Sequence, residues 1–172
     1  MTGPTDLTAR IIALLPRLRR FALTLTRHPD DGDDLVQLSV ERALSRLNRW
    51  NEGTRLDSWM FKIMQNLWID ELRSRRSRGQ VDPDFDLDVL AGSDGRDVMD
   101  QRLTLQDTIA ALMALPEEQR AVMLLVAVEG FSYRDAAEVL EVPIGTVMSR
   151  ISRARAALDQ QWQLTVVGGT LS

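Results

Sequence analysis

The chain has 172 residues, 44% of them hydrophobic, a net charge of −4 and no cysteine, so it can build packed cores but no disulfide or thiolate metal site. With His28 as the single histidine, a histidine-cluster metal site is excluded too, and no metal or other cofactor is expected. The N-terminus lacks a basic flank and apolar run, and the longest apolar run, Ala121 to Val128, is far below the ~20 residues that span a bilayer, so a soluble, cytoplasmic protein without membrane insertion is expected.

The charge is unevenly spread. Residues 1–78 hold 14 Lys+Arg and 10 Asp+Glu, residues 79–100 one Arg and seven Asp, and residues 101–172 six basic and eight acidic side chains. The acid is therefore concentrated in one short segment, and the N-terminal part is basic. Twenty of the 21 basic residues are Arg, the side chain suited to bidentate phosphate and base contacts.

Helical periodicity recurs along the chain and period-2 alternation is nowhere sustained, which predicts an all-α fold. Leu7, Ile11, Leu14, Leu18, Phe21 or Ala22, and Leu25 mark a first helix, with a kink or fresh start expected at Pro16. After Pro29, the acidic Asp30, Asp31, Asp33 and Asp34 suit the positive end of a second helix. Its apolar face is Leu35, Val36, Val40, Ala43, Leu44 and Leu47. A polar loop, Asn48 to Thr54, leads to a third helix from about Leu56 to about Arg76. That helix packs Met60, Ile63, Met64, Leu67 and Leu72 inward and ends in Arg73, Arg75, Arg76 and Arg78.

Residues 79–99 carry Pro83, Gly92, Gly95 and most of the acid, and read as a flexible linker. A second helical unit begins near Asp100, with Leu103, Ile109, Leu112 and Leu115 in one stripe. Pro116 suits the first turn of a central helix that Gly130 ends. The domains expected are thus 1–78 and 100–162, joined by the acidic linker, with a tail over 163–172.

Residues 131–158 carry the most informative pattern. Ser132 with Asp135 makes a capping-box-like start to a short helix. A tight turn and Pro143 lead into a second helix. There Val147, Ile151, Ala154 and Leu158 share a buried face, and Thr146, Ser149, Arg150 and Arg153 line another side. A short support helix, a close turn and a helix with an exposed hydroxyl-and-Arg face form a helix-turn-helix. Such a helix can lie in the major groove, where Arg reads guanine.

This segment resembles region 4 of extracytoplasmic-function (ECF) sigma factors: Leu115-Pro116-Glu117-Glu118-Gln119-Arg120, then Glu129-Gly130-Phe131-Ser132-Tyr133, then Gly145-Thr146-Val147-Met148-Ser149-Arg150 with Arg153-Ala154-Arg155. Met148 departs from the Lys of many members. The N-terminal unit resembles region 2 of the same family. Asp33-Asp34-Leu35-Val36-Gln37 looks like its polymerase-binding helix. Trp59-Met60-Phe61-Lys62-Ile63-Met64-Gln65-Asn66, with Ile69-Asp70 and Arg73, looks like its −10-reading helix. The resemblance covers nearly the whole chain except the linker and the tail after Trp162.

The resemblance implies a sigma factor that joins core RNA polymerase and directs promoter-specific initiation, for a stress or envelope response under an anti-sigma factor. It implies core polymerase contacts at Asp33, Asp34, Leu35, Val36 and Gln37. It places −10 DNA contacts at Asn48, Trp50, Trp59, Lys62, Gln65 and Asn66, where aromatic and cationic groups suit a melted strand. It places −35 contacts at Thr146, Ser149, Arg150, Arg153 and Arg155. The alternatives are a sigma-like decoy that binds an anti-sigma factor, and a simple helix-turn-helix regulator. No Gly-rich phosphate loop or nucleophile–base arrangement supports an enzyme.

Overall fold

The structure, a computed structural model, describes residues 4–80 and 105–168, and the side chains of 6–80 and 106–163. Every regular element among the described residues is helical, as the periodicity requires.

Helix α1 runs from Pro4 to Thr26 without the break expected at Pro16. Pro16 lies on the exposed side of the helix, where water can satisfy the carbonyl that loses its amide partner. Leu7, Ile11, Leu18, Phe21, Ala22 and Leu25 are buried along one stripe. Thr26 Oγ1 then donates to the Ala22 and His28 carbonyls, both at 3.0 Å. A Cβ on Gly32 would sit 3.4 Å from that hydroxyl oxygen, in van der Waals contact, so the next helix passes close to the end of α1.

Helix α2 spans Pro29–Leu44 with Asp30 and Asp31 in its first turn, where carboxylates oppose the helix dipole favourably. Leu35, Val36 and Ala43 are buried, but Leu44, expected on the same face, is exposed. A 3₁₀ turn, Leu47–Arg49, occupies the start of the expected polar loop. Asn51 Oδ1 then accepts from the Gly53 amide at 3.0 Å. Helix α3 spans Leu56–Ser77 and buries Leu56, Met60, Phe61, Met64 and Trp68.

Of the expected linker, Gly79 and Gln80 are described; the rest, and Leu103, lie outside the described residues. Helix α4 spans Leu105–Met113. Ile109, expected in its inner stripe, is exposed, whereas Leu115 is buried. Pro116 occupies the cap position of α5, Glu117–Met123, one place before the expected first turn. The helix widens into a π turn over Leu124–Val128. Gly130, at φ +72°, ends it in a conformation that a Cβ would disfavour.

Helices α6, Tyr133–Leu140, and α7, Ile144–Gly168, complete the chain. The Ser132 hydroxyl accepts from the Asp135 amide at 3.0 Å, the cap expected from sequence. Pro143 precedes α7 rather than opening it, and its carbonyl accepts from the Thr146 and Val147 amides. Helix α7 continues past Gln163 to Gly168, so most of the expected tail extends the recognition helix.

The two helical units share one core. Phe61 of α3 is fully buried, with ring centroids 5.0 Å from Phe21 and 5.3 Å from Phe131. Leu125, Phe131, Ala136 and Val139 of the second unit belong to the same apolar cluster as Ile11, Phe21 and Met64 of the first. A smaller cluster, Leu115, Ala154 and Leu158, packs α7 within its own unit.

Candidate nucleic-acid interface

The outward face of α2 is built by its register. Leu35 and Val36, expected as polymerase contacts, are buried against the core, so they hold the helix rather than offer a surface. Asp33, Asp34 and Gln37 remain exposed. Leu38, not singled out by sequence reasoning, is 52% exposed beside them. Gln37 Nε2 donates to Glu41 Oε1 at 3.1 Å, and Asp33 lies 3.8 Å from Arg19. The face is therefore acidic with one apolar residue at its centre.

Around α3 the expected strand-binding residues divide. Trp50 is 8% exposed, with the Arg10 guanidinium 5.3 Å from its ring centroid; a ring so placed has no free face for a base, which corrects the expectation for Trp50. Trp59 packs against the core as a partly buried ring. Asn48 is exposed, and Lys62, Gln65 and Asn66 are partly exposed. Asn66 lines a cleft of about 390 Å³ with Arg42, Arg46, Asp70, Arg73 and Glu141. Arg42 of α2 and Arg46, just beyond its C-terminal cap, were missed in the sequence. Their one signal was position, four residues apart around the end of a helix that meets α3.

The recognition helix keeps the two faces expected of it. Val147, Ile151, Ala154 and Leu158 are all buried. Ser149, Arg153 and Arg155 are exposed and Thr146 partly so. Arg150 departs from that set: its side chain is 17% exposed and pairs with Glu118 of α5 at 3.2 Å. Met148 is 53% exposed, on the turn where the sequence drew attention to it.

Charged contacts tie the units together around these surfaces. Arg17 and Arg20 of α1 donate to the Glu129 carboxylate at 2.6 and 2.8 Å, and that carboxylate is 1% exposed. Arg55 bridges Asp57 at 2.8 Å and Asp135 of α6 at 2.9 Å. Trp68 Nε1 donates to Glu117 at 2.8 Å. Lys62 meets Glu141, in the turn between α6 and α7, at 3.2 Å.

Burial and these partners set the titrations. Burial pushes the Arg120 guanidinium down to about 10, and the neighbouring charge of Arg27 pushes the same way. For Asp57 burial acts upward, but hydrogen bonds from Arg55, the Ser58 amide and Arg17 outweigh it and hold its pKa below the ordinary 3.8. Arg55 is raised, first by its hydrogen bond to Asp57.

The arrangement can do binding chemistry: an acidic helix face, a basic cleft and an Arg-bearing recognition helix. Among the described residues no group of acids and histidine could hold a metal, and no helix is long and apolar enough to cross a membrane.

Comparison with known proteins bears on both units. A family model described as Sigma-70, region 4 matches residues 105–158, and one described as the Sigma2 domain of PhyR matches residues 11–65. The chain is 36% identical over 149 residues to the ECF RNA polymerase sigma factor EcfG of Rhodopseudomonas palustris, covering 87% of this chain and 81% of that one. It is 29% identical to the ECF RNA polymerase sigma factor SigW of Bacillus subtilis over 92% of this chain and 90% of that one. Among solved structures it resembles the sigma factor RpoE of Bartonella quintana, solved with the anti-sigma factor NepR. The TM-score is 0.72 at 31% identity, over 92% of this chain and 98% of that one. The anti-anti-sigma factor PhyR of the same organism, solved with NepR, shares the fold at a TM-score of 0.57 and 21% identity, over 90% of this chain and 50% of that one.

Proposed function

The chain belongs to the extracytoplasmic-function family of RNA polymerase sigma factors, and from that premise we propose how its helices divide the work. It is a transcription initiation factor and not an enzyme. The first unit, residues 1–78, binds core polymerase through the outward face of α2, with Asp33, Asp34, Gln37 and Leu38 as the contact. Lys62, Gln65, Asn66 and Asn48 hold the −10 strand. The second unit, residues 100–162, docks Thr146, Ser149, Arg153 and Arg155 in the −35 major groove, and Arg150 joins them when it leaves Glu118. The acidic segment 79–99 joins the units.

The observation that carries this reading is the two-faced α7. Its apolar residues are buried against α5 and α6, while Ser149, Arg153 and Arg155 stand exposed, the geometry of a recognition helix.

Closure and promoter binding are incompatible. Elements at −10 and −35 lie roughly 25 base pairs apart, about 85 Å at ~3.4 Å per pair. A single packed body of this length is about 40 Å across. The chain between Ser77 and Leu105 can reach roughly 90 Å at ~3.3 Å per residue, enough for both units to engage once they part. The packed arrangement is therefore the resting or sequestered form. An anti-sigma partner that favours it would silence the protein in the cytoplasm until a stress signal arrives. The relative solved with NepR supports that partner class.

A tagged chain recovered from its native bacterium tests the assignment. Core polymerase subunits, with an anti-sigma protein in unstressed cells, are the expected companions. Neither being present would refute it. The match of residues 11–65 to the Sigma2 domain of PhyR favours a second reading, a decoy that binds an anti-sigma factor without reading DNA. Binding to an anti-sigma factor without any promoter-specific transcript would select the decoy.

A further inference from the structure

The turn between α6 and α7 contains a feature the promoter-reading function does not use. Glu141 adopts φ 54°, ψ 45°, the left-handed region, where a Cβ is disfavoured and glycine is the usual occupant. Its main chain closes the turn, with the Val142 amide bonded to the Ala137 carbonyl at 3.1 Å. Glycine would hold this backbone without strain, so the side chain is what the strained position retains.

That side chain reaches the other unit. Its carboxylate lies 3.2 Å from Lys62 Nζ and lines the 390 Å³ cleft with Arg42, Arg46, Asn66 and Arg73. Asp70 there lies 3.7 Å from Arg73. Among the described residues, no carboxylate lies within salt-bridge distance of Arg42 or Arg46. Glu141 is thus the one carboxylate of the second unit in a cleft that carries Arg42, Arg46 and Arg73, and Lys62, its ion-pair partner, stands beside that lining.

We propose that Glu141 stands in for a phosphate of the −10 strand, so that the helix-turn-helix unit, held by the Glu141–Lys62 pair, caps the cleft of Arg42, Arg46 and Arg73 and closes the free protein to single-stranded DNA. This rests on the reading of α3 as the strand-binding helix. It adds Arg42, Arg46 and Arg73 as the residues that seat the strand's phosphates, and a gate that lifts when the units separate. Replacement of one anion by another needs no change in the cleft itself.

The test is fluorescence anisotropy of the full-length free chain with a labelled single-stranded DNA of mixed sequence at low salt. Glu141→Lys should tighten binding about tenfold and Glu141→Gly about threefold, as a carboxylate is removed from beside several phosphates. Glu138→Lys makes the same charge change on α6, and Glu138 faces solvent; it should alter binding less than twofold. The gain at Glu141 should vanish when Arg42 and Arg46 are both serine. Circular dichroism confirms that each variant is folded, and Glu141→Gly relieves backbone strain rather than adding it.

Equal tightening by Glu138→Lys and Glu141→Lys, or a Glu141 gain that survives loss of both arginines, overturns the gate. Failure of the premise reads out separately. In the polymerase holoenzyme, Lys62→Ser with Asn66→Ala should reduce open-complex formation. No reduction there removes the strand-binding reading of α3, whatever Glu141 does in the free chain.

Discussion

Arg120 of α5 donates through Nε to the carbonyl of Thr24 near the end of α1, tying the second unit to the first. The same guanidinium donates through Nη1 to the Met113 and Leu115 carbonyls at 3.1 and 2.7 Å. Arg120 is 1% exposed, so its charge is stabilised by three carbonyl oxygens rather than by water. Arg27 adds a second tie, donating to the Leu115 carbonyl at 3.1 Å.

Arg120→Ala should therefore destabilise the protein by about 3 kcal/mol, since it leaves buried carbonyls without a donor and opens a cavity. Lysine should recover only part, because its three donors radiate from one nitrogen and cannot span the positions that Nε and Nη1 reach. Urea unfolding followed by circular dichroism measures both. A loss under ~1 kcal/mol for alanine would contradict the assigned role.

Glu129→Gln should loosen the contact between the units. The carboxylate is buried between Arg17 and Arg20, and losing its charge leaves two cations with a neutral partner, at a cost of about 2 kcal/mol. Small-angle X-ray scattering of the free chain should show a larger radius of gyration. An unchanged radius would mean that the shared core of Phe21, Phe61 and Phe131 holds the units without this ion pair.

Acid should also loosen the join. Because Asp57 has its pKa held below 3.8 in the folded chain, its ion pairs contribute stability that is full above that ordinary value. That contribution is lost as pH falls through the lower folded-state value. Asp57 positions Arg55, which reaches Asp135 on the other unit. Asp57→Asn should flatten the acid limb of a stability–pH curve measured by thermal melting. An identical limb in wild type and variant would show that other carboxylates govern it.

On the recognition helix, Arg153→Ala and Arg155→Ala should each weaken −35 binding by the holoenzyme about tenfold if they contact bases or phosphates. A phosphate contact would in addition lower the salt slope by about 1. Arg150→Ala should show a mixed effect, because Arg150 also braces α5 through Glu118. Filter binding across a salt series separates base from phosphate contacts.

Legibility in the sequence followed the range of the interactions. The buried face of α7 and the Ser132 cap are set by residues within three or four positions of each other, and both appeared where spacing put them. So did the span of α3 and the stop at Gly130. Pro16 misled because local propensity cannot say which side of a helix faces water; on the exposed side the lost hydrogen bond matters little. Leu35 and Val36 lie inside the same short motif as Asp34 and Gln37, and only packing separates the buried pair from the exposed one. Trp50 lies in a stretch whose sequence is that of a polar loop, yet contact with distant Arg10 and the core buries it. Nothing local could signal the pairing of Arg120 with Thr24, or of Lys62 with Glu141, since each joins residues far apart in the chain.

Run-off transcription with purified core polymerase is the most direct test of the central claim that two separable helical units read one promoter. A library of promoter fragments from the native genome should yield specific transcripts only when the chain is present. Replacing Arg153 and Arg155 together, or Lys62 and Asn66 together, should remove most of that output while the folded variants still bind core enzyme. No promoter-specific transcript from the folded wild-type chain, or full output from both pairs of replacements, would contradict the account.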